Sequence, residues 1–385
     1  MRRGGRFILI HMRFVLIVAA ALVMHSAAQQ PGPSAGAQAE ELLRQGIDAQ
    51  QGGDLKRAIE SYRKALALRP DFGQARANLG AALSADGQFD AAIAEDQRAL
   101  ETVPDKTSVR MNLALAYYKK GDCENAAPEF KAVHDARPGL LTAVMLFSYC
   151  NIKLGRAGDA AEMLAPLEAA NRGNTDFEYV LAYALIESGR EADGMPRMEK
   201  VAAATHSVDA WVIAGTARLH RREFKVARED LDAAMALNPD FPGLATLAGQ
   251  ARDAMGDVEA AQPAFEAALR QNPKDFMANL YLGTMYVKKR EFDKARPLLD
   301  EALALEPEMT QARFQMAKLN AMTGREAEAA KVLEELEQAD PNWIDPHIEL
   351  AALYYKLHRP EDGQRERDIV QKLDAKQQKA GPAKQ

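Results

Sequence analysis

Two cysteines and seven histidines carry most of the chemistry that a 385-residue chain of this composition could perform. Cys123 and Cys150 are a candidate thiol–disulfide couple. Of the histidines, His11 and His25 lie near the N-terminus, and His134, His206, His220, His347 and His358 are scattered along the rest of the chain. None has the local spacing of a metal motif, so surface or structural roles are expected, with no cofactor and no metal. Searches for Gly-x-Ser-x-Gly, a phosphate loop, His-Glu-x-x-His, Cys-x-x-Cys and a calcium loop find nothing. Carboxylates are abundant but interleave with Lys and Arg, as on solvated helix faces. The residues therefore point away from an enzyme and towards surface recognition.

The elements that would position such a surface are set by a period of 34 residues. Pro70, Pro104 and Pro138 mark it, then Pro239, Pro273, Pro307 and Pro341; Gly53, Gly87, Gly121, Gly155 and Gly189 mark it independently, resuming at Gly256 and Gly324 one residue out of phase. One residue is thus lost between Gly189 and Trp211, and the array is continuous from about residue 39. Along the repeats, large apolar residues recur at positions 4, 7, 11 and 24, and small ones at 8, 20 and 27. Such a pattern describes two antiparallel helices in close approach. Glycine near position 15 can end the first helix, Asp, Asn or Ser can cap the second, and proline at position 32 closes the repeat. Pro128, Pro196, Pro263 and Pro297, all at position 22, are expected near the first turn of the second helix, where a missing N–H costs least.

Trp211, Gly215, Phe224, Ala227, Leu231, Ala234 and Pro239, and again Leu282, Gly283, Tyr286, Phe292, Ala295, Leu299, Ala302 and Pro307, match the tetratricopeptide consensus. The chain resembles the tetratricopeptide repeat family over almost its whole length after the leader. The resemblance implies an all-α fold, a right-handed α-solenoid of about ten antiparallel helix pairs. The repeats fall near 39–72, 73–106, 107–140, 141–174, 175–207, 208–241, 242–275, 276–309, 310–343 and 344–373, with 374–385 as a disordered tail. The polar second helix after Pro360 reads as a cap.

Residues 1–28 have the pattern of a cleavable secretory signal: Arg13, an apolar run from Phe14 to Met24, and small residues at Ser26 and Ala28. Cleavage after Ala28 places the protein in the periplasm or outside the cell, with 29–38 as a flexible leader and no membrane span remaining; the alternative is an uncleaved inner-membrane anchor. Removing Arg2, Arg3, Arg6 and Arg13 with the signal takes the net charge from −6 to about −10. That acidity argues against nucleic acid as a partner, since phosphate neutralisation needs clustered Lys and Arg.

In this family the first helices line a concave groove through positions 2, 5, 9, 12 and 13. Carried over by that resemblance, the groove of the third repeat offers Met111, Leu115 and Tyr118, the fourth Met145, Tyr149 and Ile152, and the fifth Tyr179, Tyr183 and Ile186. The second repeat offers Gln74, Ala77, Ala81 and Ser84, and the seventh Gly243, Thr246, Gln250 and Asp253. A Met, Tyr and Ile stripe flanked by polar repeats suits a protein or peptide segment; the alternative is packing against the neighbouring repeat. Leu43 and Ile47 stand where chaperone-tail clamps of the family need Lys and Asn, which argues against that partner. A kink is expected at the same place, because Pro166 falls inside a second helix and Arg172 replaces a closing proline. Antiparallel packing of consecutive helices also brings Cys123 and Cys150 close enough for a disulfide, with two separate buried thiols as the alternative. The expected function is a non-enzymatic adaptor in cell-envelope assembly, or else a spacer or self-associating homo-oligomeric scaffold.

Overall fold

A computed structural model describes residues 34–380. Among these residues there are twenty α-helices and no strand, and they fall into two compact bodies, one ending at Thr205 and the other beginning at His206. Residues 1–28, expected to be a secretory signal, lie outside the described residues, as do 29–33 of the expected leader and 381–385 of the expected tail.

The N-terminal body is a solenoid of five helix pairs: α1 (Ala35–Gln51) with α2 (Leu55–Leu68), α3 (Gly73–Ala85) with α4 (Phe89–Thr102), α5 (Thr107–Lys120) with α6 (Cys123–Ala136), α7 (Leu141–Lys153) with α8 (Ala157–Leu164), and α9 (Thr175–Glu187) with α10 (Glu191–Thr205). Each helix packs on its neighbours in the chain, and α3 also touches α5 as α7 touches α9. The C-terminal body repeats the scheme with α11 (Val208–His220), α12 (Phe224–Leu237), α13 (Leu244–Ala254), α14 (Val258–Gln271), α15 (Phe276–Lys288), α16 (Phe292–Leu305), α17 (Thr310–Met322), α18 (Glu326–Ala339), α19 (Ile344–Lys356) and α20 (Pro360–Ala380). Helix α1 starts at Ala35 on a Ser34 cap, four residues before the repeat was expected to begin. Helix α20 runs on to Ala380, through the segment expected to be a disordered tail from Asp374.

Small residues do what the pattern requires. A Cβ on Gly46 would lie 2.4 Å from the Tyr62 ring, and one on Gly249 would lie 2.6 Å from Phe265. The glycine at position 8 is thus the seat for the large side chain at position 24, which is why the two helices meet closely. Asp54, Asp122 and Asp257 cap the second helices by accepting from the backbone N–H of Arg57, Asn125 and Ala260 at 3.0–3.1 Å. The turn between paired helices needs a positive φ in every repeat. Glycine supplies it at seven of them, while Arg222 (φ 63°), Arg290 (φ 59°) and His358 (φ 58°) supply it where the glycine beat falls silent.

Two departures follow from proline and from the lost residue. Pro128, Pro196, Pro263 and Pro297 lie inside α6, α10, α14 and α16, in the second turn of α6, α10, α14 and α16 rather than the first, so each removes one intrahelical hydrogen bond. At Pro166 the fourth pair breaks: α8 stops at Leu164 and the chain continues as two 3₁₀ turns, Ala165–Leu167 and Ala169–Asn171. Beside this kink a cavity of about 260 Å³ opens between Ala161, Ala165, Leu181 and Leu185. The missing residue is taken from the connection after α10, where His206 and Ser207 alone precede α11.

Candidate functional site

Helices α5, α7 and α9 are successive first helices of the N-terminal body; α7 packs on α9, and Tyr118 of α5 reaches Tyr149 of α7, so the tyrosines of the stripe form one ladder. Tyr118 meets Tyr149 edge-on with ring centroids 5.7 Å apart; Tyr149 lies 6.2 Å from Tyr183, and Tyr183 lies 6.3 Å from Tyr179. Aromatic pairs at such separations and tilts attract through their quadrupoles. The ammonium of Lys153 sits over the rings of both Tyr149 (5.6 Å) and Tyr183 (5.4 Å) and donates to the Tyr183 hydroxyl at 3.3 Å. One cation therefore faces two aromatic rings and stays exposed to solvent.

The stripe is more closed than an open groove would be. Met145, Tyr149, Ile152, Tyr179 and Ile186 are buried, whereas Met111, Leu115, Tyr118 and Tyr183 are partly accessible. The reason is the close approach of α7 to α9, which makes positions 5, 9 and 12 of neighbouring repeats cover one another. What remains accessible is a rim formed by Met111, Leu115, Tyr118, Tyr183 and Lys153. Lys153 stands at position 13, one of the groove positions, so its place on the ladder was open to inference from the repeat register.

The two thiols are neighbours: Cys150, buried in α7, and Cys123, at the first turn of α6, belong to one cluster with Ala126, Phe130 and Leu146. The Cys150 thiol beside it, aided by Lys153, pulls the Cys123 thiol below its ordinary value against the opposing effect of burial. The neighbouring Cys123 and burial push Cys150 up. Burial, with the two thiols beside it, also holds the Tyr118 phenol above its usual range.

A third grouping joins residues far apart in sequence. His347 of α19 has Nδ1 at 2.6 Å from Glu366 Oε2 of α20 and at 3.9 Å from Glu337 Oε1 of α18, while Nε2 lies 3.2 Å from the carbonyl oxygen of Pro341. These three side chains could hold a metal ion, their ligand atoms all lying within 4.8 Å of one another. The sequence search missed them because the three come from three helices and no local motif links them. His134, His206, His220 and His358 join no such group among the described residues.

Among the described residues, no helix is long and apolar enough to cross a membrane. Segments 43–107, 87–140 and 246–296 match one family model described as a tetratricopeptide repeat, and 286–354 match a second with the same description. No curated protein matches the sequence. Among solved structures, a tetratricopeptide repeat protein from Parabacteroides merdae is similar with a TM-score of 0.51 at 18% identity, over 64% of this chain and 97% of that one. Yeast Tom70 aligns with a TM-score of 0.36 at 14% identity, over 88% of this chain and 96% of its own. The human IFIT1 dimer with m7Gppp-AAAA aligns with a TM-score of 0.46 at 16% identity, over 90% and 91%. At these identities the likeness concerns the fold. With matched segments spanning more than half of the chain, and the consensus residues seated where the helix pairs need them, the protein belongs to the tetratricopeptide repeat family.

Proposed function

We propose that the protein is a non-enzymatic interaction scaffold that takes a segment of a partner protein on the α5–α7–α9 rim, and that it does so in the cell envelope after export. The observation that carries this reading is the aromatic ladder with Lys153 over Tyr149 and Tyr183. A rigid row of tyrosines supplies contact area at little entropic cost, and the Lys153 ammonium adds a fixed donor for a carboxylate or backbone carbonyl. Export is supported by the apolar run from Phe14 to Met24 and the small residues Ser26 and Ala28.

Removing the contact elements without disturbing the buried core tests this proposal. Lys153→Glu and Tyr183→Ala, both at the accessible rim, are expected to weaken partner capture by at least about tenfold with helical content unchanged. Capture that survives both changes would contradict the binding assignment. A sizing measurement on the wild type, showing a dimer broken by the same changes, would instead place the rim between copies of the chain.

A further inference from the structure

Three neighbouring places recur along the array, position 4 of a first helix, position 23 of its partner helix and position 28 of the preceding repeat, and two or all three of them are charged in several repeats. In the second repeat Arg76 donates to Glu95 at 2.7 Å and, outside these places, to the carbonyl of Pro70 at position 32 at 2.6 Å, while Leu66 fills the third place. In the third, Arg110 holds Glu129 at 2.6 Å. In the fifth all three places are charged: Arg197 bridges Glu178 at 2.9 Å and Glu168 at 2.6 Å. A guanidinium is the cation each time, and it carries its charge at any ordinary pH. In the last repeat the same three places hold Glu337, His347 and Glu366, so two carboxylates face an imidazole and no arginine.

The proline carbonyl decides which atoms are left to bind. Nε2 of His347 faces the Pro341 oxygen, which can only accept, so Nε2 carries a proton. Nδ1 is the nitrogen turned to the two carboxylates, and the proton held in its 2.6 Å contact with Glu366 is the one an entering ion would displace. A ring N–H donated to a backbone carbonyl, with the other nitrogen turned to a carboxylate cluster, is the outer-shell arrangement of a metal-bound histidine. The His347 side chain is 2% exposed and that of Glu366 9%, while Glu337 at 25% leaves a way in from solvent.

We propose that Glu337, His347 and Glu366 form a site for a divalent transition-metal ion of the zinc class, which joins α18, α19 and α20 and pins the last helix pair. One nitrogen and two carboxylate oxygens, with room for water as a fourth ligand, suit zinc or cobalt; calcium and magnesium want more oxygens and no imidazole. Metal–ligand bonds near 2.0–2.2 Å ask donor atoms to stand roughly 3.3 Å apart. Glu366 must therefore withdraw somewhat from 2.6 Å and Glu337 close in from 3.9 Å, both by side-chain rotation. The ion's two positive charges balance the two carboxylates, as the single charge of Arg197 does in part at the fifth repeat.

Titration of chelator-stripped full-length protein with Zn²⁺ by calorimetry, and with Co²⁺ by visible absorption, tests the site. The wild type is expected to bind one ion per chain at this site, with the absorption of four-coordinate cobalt and a rise in Tm at saturating zinc. His347→Arg installs the guanidinium seen at Arg76 and Arg110, so it should keep the fold while losing the cobalt spectrum and the Tm response. Glu337→Gln, on the exposed side, should weaken binding by at least about tenfold, and it serves should the arginine variant fail to fold. Equal affinity and equal Tm response in wild type and variant would overturn the proposal and leave His347 as a hydrogen-bonded link between α19 and α20.

Discussion

Asp96 rests against Gly80: a Cβ on Gly80 would come within 2.1 Å of the Asp96 Oδ1 atom. Asp96 occupies position 24, where six of the other repeats place Tyr62, Phe130, Leu164, Leu231, Phe265 and Leu299. It is fully buried, and neither carboxylate oxygen has a hydrogen-bond partner among the described residues.

That burial, with Glu95 beside it, raises Asp96 to about 8 from a model-compound value of 3.8. A group whose folded value lies above its unfolded one favours the fold fully below about pH 4, and the contribution is lost as pH rises towards 8. Asp96→Leu, which copies the Gly215–Leu231 and Gly283–Leu299 contacts, is therefore expected to raise Tm. The gain should widen between pH 4 and 8 and level off above, reaching on the order of 5 kcal/mol at most. Thermal melts of both proteins across that range check it; a gap independent of pH would contradict the ionisation account.

Arg290 holds φ at 59° in a turn where seven other repeats use glycine. An L-residue there costs about 1–2 kcal/mol, partly recovered because glycine loosens the unfolded chain. Arg290→Gly is expected to stabilise the C-terminal body by about 0.5–1 kcal/mol in denaturant unfolding. Gly121→Ala, at φ 86°, should destabilise the N-terminal body by at least as much.

The Cys123–Cys150 contact predicts paired redox chemistry. With a thiol–disulfide oxidant the two thiols are expected to lose two electrons and two protons together, forming one intramolecular bond. Protein isolated from an oxidising compartment without reductant and then unfolded should show no titratable thiol; two thiols would contradict pairing. In reduced protein Cys123, the half-buried partner with the lowered value, should alkylate before Cys150.

The helix pairs were legible in the sequence because proline, glycine and the small residues at positions 8, 20 and 27 are demanded by local geometry, and local geometry repeats. The expected kink at Pro166 appears as two 3₁₀ turns for the same reason. Other features depend on contacts between repeats. Burial of Met145, Tyr149 and Tyr179 is set by how closely α7 and α9 approach, which no single repeat encodes. The left-handed residues Arg222, Arg290 and His358 lack the glycine that marks their position elsewhere. The Glu337–His347–Glu366 group becomes visible when repeats are compared place by place, His347 standing where Arg76 and Arg110 stand.

Lys153 is the element of the candidate surface most open to a clean change, being exposed and bound to the ladder by two ring contacts and one hydrogen bond. Lys153→Glu should leave the unfolding free energy within about 0.5 kcal/mol of wild type, the usual range for exposed positions, while Tyr149→Asp should unfold the N-terminal body because it buries a charge. Melting curves of the two variants separate the surface role from the core role.

The central claim is that a partner segment lies on the α5–α7–α9 rim. A photo-reactive amino acid placed at position 183 of the full-length protein, and at the polar position 253 as reference, tests it in living cells. The account predicts a discrete adduct with another protein from position 183, absent from 253 and lost when Lys153→Glu is added. Equal labelling from both positions, or no adduct from 183, would contradict it.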